Sequence, residues 1–411
     1  METDATEIFH VLNEISVALR SLDQWANPKK IDAPLYLAGT RAWIHYEPRG
    51  LCLIISPWNY PFGLAAGPLV SALAAGNSVI IKPSELTPAV SSLILRMCED
   101  VFEPSVVSAC EGGVEVSQDL LKLPFDHIFF TGSPTVGKIV MKAAAEHLAS
   151  VTLELGGKSP AIVSATARLK DSAERIAVGK FLNNGQTCIA PDYLLVDEKI
   201  VEEFVRTLID TTKRFYAPLQ AFEDSSNYGR IVSDSHFSRI EELINEAVNL
   251  GATVEWDGKR DRLNRFMHPV ILSKVPMQSR IMNEEIFGPV LPVIGYKNIQ
   301  DALSIIESKP KPLALYLFSG QKSFRNRIIK ETSSGTVCIN DCGIQFLHHE
   351  LPFGGINNSG IGKAHGYFGF QSFSNEKSVL KQKNGMTAVR AFYPPFTPGS
   401  KQIMDWFLKF F

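Results

Sequence analysis

The stretch LCLIISPWNYPFGLAAGPLVSALAAGNSVIIKPSE, residues 51–85, decides the fold. It opens and closes on short apolar runs, 51–56 and 78–82, whose length and composition are those of buried strands. The segment between them, 64–75, is helix-like. A strand, a helix and a second strand in this order predict two parallel strands joined by a right-handed crossover.

The same alternation continues along the chain in both directions. An apolar stripe at helical spacing covers 6–26, and two more strand-like runs lie at 127–131 and 151–155. Helix-like segments at 88–102 and 135–148 precede those runs. We therefore expect an α/β fold with a parallel sheet covered by helices on both faces and with ligands at the carboxyl ends of its strands.

A second α/β unit is predicted after residue 160. A helix near 171–183 is followed by a strand at 193–196 and a helix at 198–215. The segment 219–266 is polar and is expected at the periphery, and 351–366 is glycine-rich and is expected to be a loop. A chain of 411 residues is too long for one simple core, so two such domains are the expectation.

The composition excludes several classes of protein. The chain is 45% hydrophobic and 20% charged, and 41 basic against 43 acidic residues give a net charge of −2, which leaves no basic footprint for nucleic acid. Six cysteines in a chain of this length do not form the pattern of a disulfide framework. We predict no metal site, because the candidate ligands Cys338, Cys342, His348 and His349 lack zinc-finger spacing. The start of the chain has no leader pattern and no apolar run reaches spanning length, so a cytoplasmic location is expected.

Two residues carry the strongest chemical signal. Cys188 lies in a Gly-Gln-Thr-Cys turn, on flexible polar backbone, where a thiol is better placed for nucleophilic attack than for core packing. Glu154 lies 34 positions earlier in LELGGK, and a carboxylate that activates water is what resolves a covalent intermediate on a thiol. The two residues together predict covalent catalysis.

Two further motifs fit the same chemistry, although each has a simpler explanation. Asn59, in a stiff turn between two prolines, offers an amide donor to a developing oxyanion, or it only closes an Asx turn. The stretch GSPTVGK, 132–138, follows a strand and opens a helix, where an anion can bind. It matches neither Gly-x-Gly-x-x-Gly nor the P-loop pattern, so a plain helix start explains it equally well.

Ribose-binding groups are also present. Lys82 and Glu85 lie at the end of a predicted strand, three positions apart, where they suit two ribose hydroxyls; a solvated loop capped by Ser84 is the alternative. Glu285 could bind sugar hydroxyls with Phe287 packed on a planar ring, or it is an exposed loop carboxylate. Together these groups form one coherent catalytic set.

At this point the chain resembles the aldehyde dehydrogenase superfamily. The resemblance runs in order from about residue 5 to 395 through the segments ISPWNYPFGLAAGPLVSALAAGNSVIIKPSE, FTGSPTVGK, LELGGKSP, NNGQTCIAPDY, EEIFGPVLP and LPFGGINNSGIG. The APDY after the cysteine and the run from IISPWNYP to KPSE are similar to the class 3 branch, which handles fatty and aromatic aldehydes.

The resemblance implies a role for each matched residue. Cys188 is implied as the nucleophile, Glu154 as the general base, and Asn59 with the backbone N–H of Cys188 as the oxyanion hole. Binding of NAD or NADP is implied for a larger set: Lys82, Glu85, Gly132, Ser133, Pro134, Thr135, Val136, Gly137, Glu285 and Phe287. The implied reaction oxidises a medium- or long-chain aliphatic or an aromatic aldehyde to the carboxylic acid through a thiohemiacetal and a thioester.

The resemblance also implies a domain plan of two parallel-sheet α/β domains plus a small bridging domain, in a homodimer. The expected boundaries are a dinucleotide-binding domain of 1–27 and 49–157, a catalytic domain of 158–340, bridging segments at 28–48 and 341–395, and an apolar tail at 396–411. Class 3 relatives begin with further helices before the segment that matches 1–26. Because this chain starts without them, we expect an outer face of the cofactor domain to be less covered, which favours association.

Several alternatives stay open from the sequence. One is a truncated, non-catalytic paralogue that acts as a binding or dimerisation partner. Another is a relative that passes the acyl group to coenzyme A or prefers a semialdehyde. The intact catalytic set, with Glu154 present, favours hydrolysis. Glu85 favours NAD over NADP, although class 3 relatives accept both. The tail is expected to dock on its own protein or on a partner subunit, with contact to a membrane surface as the alternative. Five aromatic residues either line an apolar funnel for the aldehyde or are ordinary core or dimer contacts: Phe346, Phe353, Phe392, Tyr393 and Phe396.

Overall fold

A computed structural model describes residues 1–217, 221–385 and 387–410. Its strands, in chain order, are β1 (Lys29–Ile31), β2 (Thr40–Pro48), β3 (Leu51–Ile55), β4 (Ser78–Lys82), β5 (Val107–Ala109), β6 (His127–Gly132), β7 (Ser150–Leu155), β8 (Pro160–Val163), β9 (Tyr193–Asp197), β10 (Thr253–Trp256), β11 (Arg260–Asp261), β12 (Phe266–Met267), β13 (Val270–Ser273), β14 (Val290–Tyr296), β15 (Ala314–Phe318), β16 (Thr336–Ile339), β17 (Gly360–Ile361) and β18 (Ser374–Gln382). Its α-helices are α1 (Phe9–Ala26), α2 (Gly63–Ala74), α3 (Pro88–Val101), α4 (Val114–Leu120), α5 (Pro134–Glu146), α6 (Leu169–Phe181), α7 (Val201–Tyr216), α8 (Asp234–Asn249), α9 (Ile299–Glu307), α10 (Lys322–Glu331), α11 (Gly366–Ser372) and α12 (Pro398–Phe410).

The first sheet has six strands in the order β17-β7-β6-β3-β4-β5. All its pairs are parallel except β17 with β7, which is antiparallel and joins Gly360 to Glu154 and Ile361 to Leu153. The four apolar runs predicted as strands form β3, β4, β6 and β7 within one residue of the expected bounds. They do so because their side chains are buried on both faces, as a helix-covered parallel sheet requires.

The second sheet has seven strands in the order β10-β13-β14-β9-β8-β15-β16. It is parallel except for the edge strand β10, which runs antiparallel to β13. The predicted strand at 193–196 is its central strand β9, and the predicted helices near 171–183 and 198–215 are α6 and α7. The expectation of two parallel-sheet α/β units is confirmed.

A third sheet of three antiparallel strands, β1-β2-β18, stands apart from the two large ones. β18 pairs with β2 over nine residues, from Ser374 opposite Pro48 to Gln382 opposite Thr40. Most of β18 is exposed, and Leu380 and Ile31 are exposed apolar side chains on this sheet. This small sheet therefore presents apolar groups to its surroundings.

The amino-terminal stripe forms a helix, as predicted, although its first turn, Asp4–Ile8, is π-helical. The inner face of α1 buries His10, Val11 and Glu14. The outer face exposes large apolar side chains, of which Leu19 is 76% exposed. An uncovered apolar face on this part of the chain was the sequence expectation, and the structure has one.

Two predictions for the later segments were wrong in part. The segment 219–266 is not only peripheral, because it contains α8, whose Phe237, Ile240 and Leu243 are completely buried against the second sheet. Apolar residues every three or four positions in an otherwise polar segment indicate a helix that is buried on one face. The glycine-rich segment 351–366 is largely irregular, but it contributes β17 to the edge of the first sheet.

No helix among the described residues is long and apolar enough to cross a membrane. The tail forms α12, in which Phe407 packs edge-on against Phe392 with ring centroids 5.7 Å apart. Leu408 is exposed, and Phe411 lies outside the described residues. The tail thus makes a contact with its own chain, while its docking on a partner subunit or its contact with a membrane surface stays a prediction.

Candidate functional site

The turn before Cys188 is held in an unusual backbone conformation. α6 ends at Phe181, and Asn183, Asn184 and Gly185 all have positive φ, at 48°, 57° and 74°. A Cβ on Gly185 would lie 2.3 Å from the carbonyl oxygen of Gly288, so this position requires glycine. The asparagines tolerate the left-handed region better than most residues, and the turn can therefore reverse the chain within a few positions.

Hydrogen bonds from the first sheet fix the cysteine turn. Asn59 Nδ2 donates to the carbonyl oxygen of Gln186 at 3.0 Å, and Asn183 Nδ2 donates to the carbonyl oxygen of Asn59 at 2.7 Å. Tyr60 and Thr187 share a hydroxyl–hydroxyl bond of 2.7 Å. The Asn59 amide therefore orients the turn with one N–H and has a second N–H for another acceptor.

Cys188, Glu154 and Asn59 line one cleft with a volume of about 430 Å³. The cleft lies between the two large sheets, at the carboxyl ends of the strands in the first sheet. Burial, followed by the negative charges of Glu285 and Glu154, raises the pKa of the Cys188 thiol to about 12. In this state the thiol keeps its proton at neutral pH, so attack requires the proton to be removed.

Glu154 is completely buried at the end of β7. Both its carboxylate oxygens lack a hydrogen-bond partner among the described residues. Burial raises its pKa well above 4.5, and the positive charge of Lys363 opposes that rise. Lys363 is held nearby because its ammonium donates to the carbonyl oxygen of Gly354 at 2.6 Å. A carboxyl group with a raised pKa and no fixed partner is suited to accept a proton in a reaction.

The helix start predicted to bind an anion forms the next wall of the cleft. Gly132, Ser133, Pro134 and Thr135 line it, and Ser133 Oγ caps α5 by accepting the N–H of Val136 at 3.3 Å. Val136 and Gly137, the last two residues of this predicted set, do not line the cleft.

Val136 is exposed, and a Cβ on Gly137 would lie 2.8 Å from Leu155 Cδ2. Gly137 therefore allows α5 to pack closely on β7, whatever it does for a ligand.

Lys82 and Glu85 lie side by side at the end of β4. The ammonium and the carboxylate form an ion pair of 2.9 Å, with the Lys82 side chain buried and the Glu85 side chain 44% exposed. Partial burial acts to raise the pKa of Glu85, but the hydrogen bond and charge of Lys82 outweigh it and lower that pKa. The structure pairs the two residues, as their spacing suggests, next to the cleft and not in its lining.

Glu285 and Phe287 both line the cleft, opposite the helix start. Their loop is anchored by Arg239, which donates to the carbonyl oxygens of Glu285 at 3.2 Å and Ile286 at 2.6 Å. Phe287 has a positive φ of 51°, and its ring packs edge-on against Trp58 at 5.4 Å. Glu285 is not an exposed loop carboxylate.

The carboxylate of Glu285 lies against Gly156. Burial, followed by the charge of Asp192, raises the pKa of Glu285 to about 8. A Cβ on Gly156 would lie 2.1 Å from Glu285 Oε2, so only glycine leaves room for the carboxylate here.

A second, smaller cavity of about 40 Å³ lies on the other side of Cys188 and Glu154. Phe346 and Phe353 line it, whereas the other three predicted aromatic residues do not. Of the five predicted aromatic residues, Phe346 and Phe353 therefore face the cavity, whereas Phe392 packs on α12.

Sequence reasoning missed several residues around this site. Lys363 is fixed by tertiary contacts, and no local pattern marks it; Asn183 lies in the NNGQTC stretch that the sequence singled out, but its bond to Asn59 joins distant segments. Trp58, His236 and Arg239 line the cleft, and of these only Trp58 lies in a motif that the sequence singled out.

Known proteins are similar to this chain in sequence and in fold. The model of the aldehyde dehydrogenase family matches residues 1–379. A Staphylococcus aureus protein named 4,4'-diaponeurosporen-aldehyde dehydrogenase is 44% identical over 99% of this chain and 87% of its own. The rat protein named aldehyde dehydrogenase, dimeric NADP-preferring is 43% identical over 95% of this chain and 84% of its own. The solved structure of Staphylococcus aureus AldH in its substrate-bound state superposes with a TM-score of 0.94 at 44% identity, over 99% of this chain and 88% of that one. This chain belongs to the aldehyde dehydrogenase family.

Proposed function

We propose that this protein oxidises an aldehyde to the carboxylic acid with NAD or NADP, using Cys188 as the nucleophile, Glu154 as the general base and Asn59 in the oxyanion hole. The observation that carries the proposal is that these three residues line one cleft together with a helix amino terminus. A thiol, an amide donor and a partnerless carboxylate around one space are what a two-step acyl-transfer reaction needs.

In the first step the Cys188 thiol loses its proton to solvent, and its sulfur attacks the aldehyde carbon to form the oxyanion of a thiohemiacetal. The second N–H of Asn59 and the backbone N–H of Cys188 stabilise the oxygen that becomes negative. Because Asn59 is already bonded to Gln186, its amide needs no reorganisation when the charge develops. Loss of the hydride from the thiohemiacetal carbon leaves a thioester on Cys188.

In the second step Glu154 removes a proton from water, which attacks the thioester and releases the acid. Burial raises the pKa of Glu154, which favours proton uptake, and the positive charge of Lys363 opposes that rise. After release of the acid the thiol is regenerated. Glu154 thus supports hydrolysis of the thioester without an external acceptor.

The residues of the cleft fit a nicotinamide dinucleotide. The helix start at Gly132–Thr135 supplies N–H groups and a dipole for the pyrophosphate, and the Lys82–Glu85 pair supplies ribose-binding groups. Gly156 leaves the space that Glu285 occupies, so that this carboxylate faces the cleft. When bound, NAD or NADP supplies a positive charge and accepts the hydride. Glu85 favours NAD, whereas the rat relative is named as NADP-preferring, so the preference between the two is left to measurement.

We assign the substrate to medium- or long-chain aliphatic or aromatic aldehydes. Support comes from the cavity beside Cys188, whose walls include Phe346, Phe353 and Phe129. Its surface is mostly apolar, although His10, Glu14 and His365 also line it, and an apolar surface favours an apolar aldehyde over a sugar aldehyde.

The domain roles follow from the same plan. We assign cofactor binding to 1–27 and 49–157, catalysis to 158–340, and bridging to 28–48 and 341–395, with the exception that β17 adds to the first sheet. A homodimer is supported by the apolar groups on the three-stranded sheet and by the name of the rat relative. Sedimentation of the wild type and of Leu380→Lys tests it: a dimer that the variant weakens is expected, and a monomeric wild type contradicts it. The cytoplasmic location stays a prediction, which fractionation of cells that express the full chain would check.

The function is tested by absorbance of the reduced nicotinamide. Purified protein is mixed with hexanal or benzaldehyde and with NAD or NADP, and the wild type is compared with Cys188→Ala and with Cys98→Ala. Cys98 is a buried thiol on α3, away from the cleft, so it is the matched control. We expect reduction with the wild type and Cys98→Ala, and none with Cys188→Ala.

Two outcomes would overturn the proposal. No reduction by folded wild-type protein, together with no nucleotide binding in calorimetry, would favour the non-catalytic paralogue. Reduction that requires added coenzyme A would favour the acylating alternative over hydrolysis by Glu154.

A further inference from the structure

Three potential metal ligands meet beside the reactive thiol. His10 and Glu14 come from the inner face of α1, and His365 comes from the residue before α11. One ligand atom from each lies within 4.8 Å of the others, and among the described residues this is the group that could hold an ion. It is not the cysteine and histidine group considered from the sequence.

The hydrogen bonds around the cluster leave the ligand atoms free. Glu14 Oε2 accepts the N–H of Gly366 at 3.0 Å, which leaves Oε1 open. His365 Nδ1 bonds the carbonyl oxygen of Phe346 at 3.1 Å, which leaves Nε2 as the lone-pair nitrogen. No hydrogen bond among the described residues joins the three side chains to one another.

His10 is 96% buried, since only 4% of it is exposed, and it makes no hydrogen bond with the described residues. Its ring packs against Phe346 at 4.6 Å and against His365 at 4.9 Å. A buried imidazole without a polar partner is costly unless something binds it.

We propose that His10, Glu14 and His365 form a Zn²⁺ site whose open fourth position faces the cavity that contains Cys188 and Glu154. Two imidazoles and one carboxylate are a ligand set that Zn²⁺ accepts with a fourth position left for water or substrate. The bond of His365 Nδ1 to a backbone carbonyl is the outer contact that fixes a metal-binding imidazole.

The space and the charges suit an ion. Ligand atoms of tetrahedral Zn²⁺ are separated by about 3.3 Å, given bonds of about 2.0 Å, so the side chains need to close by only about 1–1.5 Å. The cavity of about 40 Å³ is lined by all three ligands and by Cys188 and Glu154. That volume exceeds the roughly 10–15 Å³ needed for one water, so an ion with a water ligand fits.

The site predicts inhibition, and this part of the inference rests on the proposed function. An ion bound here occupies the space beside the thiol that an aldehyde needs, and Cys188 lines the same cavity as a soft ligand that could replace its water. Zn²⁺ is therefore expected to inhibit aldehyde oxidation in competition with the aldehyde and not with the nucleotide.

Binding is measured on the purified full-length chain after removal of metal with a chelator. Co²⁺ is added as a coloured probe and its visible absorption is recorded, and Zn²⁺ affinity is obtained by calorimetry. Two variants test the ligands: Glu14→Gln keeps an acceptor for the Gly366 N–H, and His10→Phe keeps the ring contacts. Two controls test other sources: Cys188→Ser removes the thiol, and the double variant His348→Asn, His349→Asn removes the adjacent histidine pair.

We expect one ion per chain in the wild type and in both controls. We expect affinity to fall by more than about 100-fold in Glu14→Gln and His10→Phe, beyond the 10–100-fold cost of losing only an outer contact. Circular dichroism and the midpoint of thermal unfolding without metal must match the wild type. If one of these two variants fails to fold, the other variant and the Co²⁺ spectrum of the wild type decide whether these side chains bind the ion.

Three results would overturn the site: no binding to the wild type, binding that Glu14→Gln and His10→Phe retain, or binding that only a control variant loses. The two proposals fail separately. A Co²⁺ spectrum without aldehyde oxidation keeps the metal site and removes the proposed function, and oxidation without metal binding does the reverse.

Discussion

Replacing Glu154 with glutamine separates the two steps of the reaction. The amide has the size of the carboxylate but cannot accept a proton from water. Formation of the thioester on Cys188 does not use that water, whereas its hydrolysis does. We therefore expect Glu154→Gln to release one reduced nicotinamide per chain rapidly and then to stall as an acyl-enzyme.

The size of the effect follows from what surrounds the carboxylate. Proton transfer by a positioned side chain contributes about 10²–10⁴-fold to a rate, which is about 2.7–5.4 kcal/mol in the barrier at 1.36 kcal/mol per tenfold. No other described carboxylate lines both the cleft and the smaller cavity with Cys188. Because Glu154 is the described carboxylate that borders both spaces, we expect its replacement to lower steady-state turnover by a factor within this range.

The same variant should change stability in a pH-dependent way. Burial raises the pKa of Glu154 above its usual 4.5, so ionisation in the folded state costs free energy that the unfolded chain does not lose. As pH rises from about 4.5 toward the raised pKa, the wild type loses stability, and glutamine, which does not titrate, avoids that loss. The difference in the midpoint of thermal unfolding in favour of the variant should therefore grow with pH through this window and then level off.

Stopped-flow absorbance measures the burst and the steady rate, and mass spectrometry of the quenched protein detects the acyl group on Cys188. Glu284→Gln is the matched control, because Glu284 also lines the cleft but is exposed and paired with Arg280 at 2.8 Å. We expect the control to stay within about threefold of the wild type, since a surface ion pair contributes under about 1 kcal/mol. Turnover of Glu154→Gln at the wild-type rate would refute the assignment of Glu154 as the base.

Three further changes test the surroundings of the site. Lys363→Met removes the charge that holds down the pKa of Glu154, so the acid limb of the turnover–pH profile should move to higher pH while the rate on the alkaline plateau stays near the wild type; an unmoved limb contradicts the coupling. Gly156→Ala places a methyl group 2.1 Å from Glu285 Oε2, so steady-state kinetics should show the KM for the nucleotide raised about tenfold, as expected from loss of one hydrogen bond of about 1.5 kcal/mol. Glu85→Gln removes the charge that opposes a 2′-phosphate, so the ratio of kcat/KM for NADP over NAD should increase several-fold, and an unchanged ratio would remove Glu85 from cofactor choice.

The first sheet was predictable because each of its strands has a distinctive local sequence pattern. Residues 51–55 and 79–81 are apolar at every position, which is the pattern of strands covered on both faces, and turn residues bound these runs. α8 was missed because its apolar residues are spaced along a mostly polar segment, so that composition hides the buried stripe of Phe237 and Ile240. β17 has only two residues, and no periodicity can be read from two positions.

The candidate site was predictable to the extent that its chemistry lies in short motifs. Cys188 and Glu154 stand in distinctive local sequence, and the structure brings both to one cleft. The bonds of Asn59 to the cysteine turn were not predictable, because they join residues that are 127 and 124 positions apart. For the same reason Glu14 and Gly366, which are 352 positions apart, give no signal until the chain is folded.

Translation delivers β7 about 200 residues before β17, which at about 5–20 residues per second is an interval of about 10–40 s. During that time β7 is an open edge of the nascent sheet, with unpaired N–H and C=O groups that invite pairing with another chain. Glu154 also stays in contact with water until 351–366 has left the ribosome and closed over it. The reactive centre is thus assembled late, and an incomplete product would carry the nucleophile without the environment that makes its base effective.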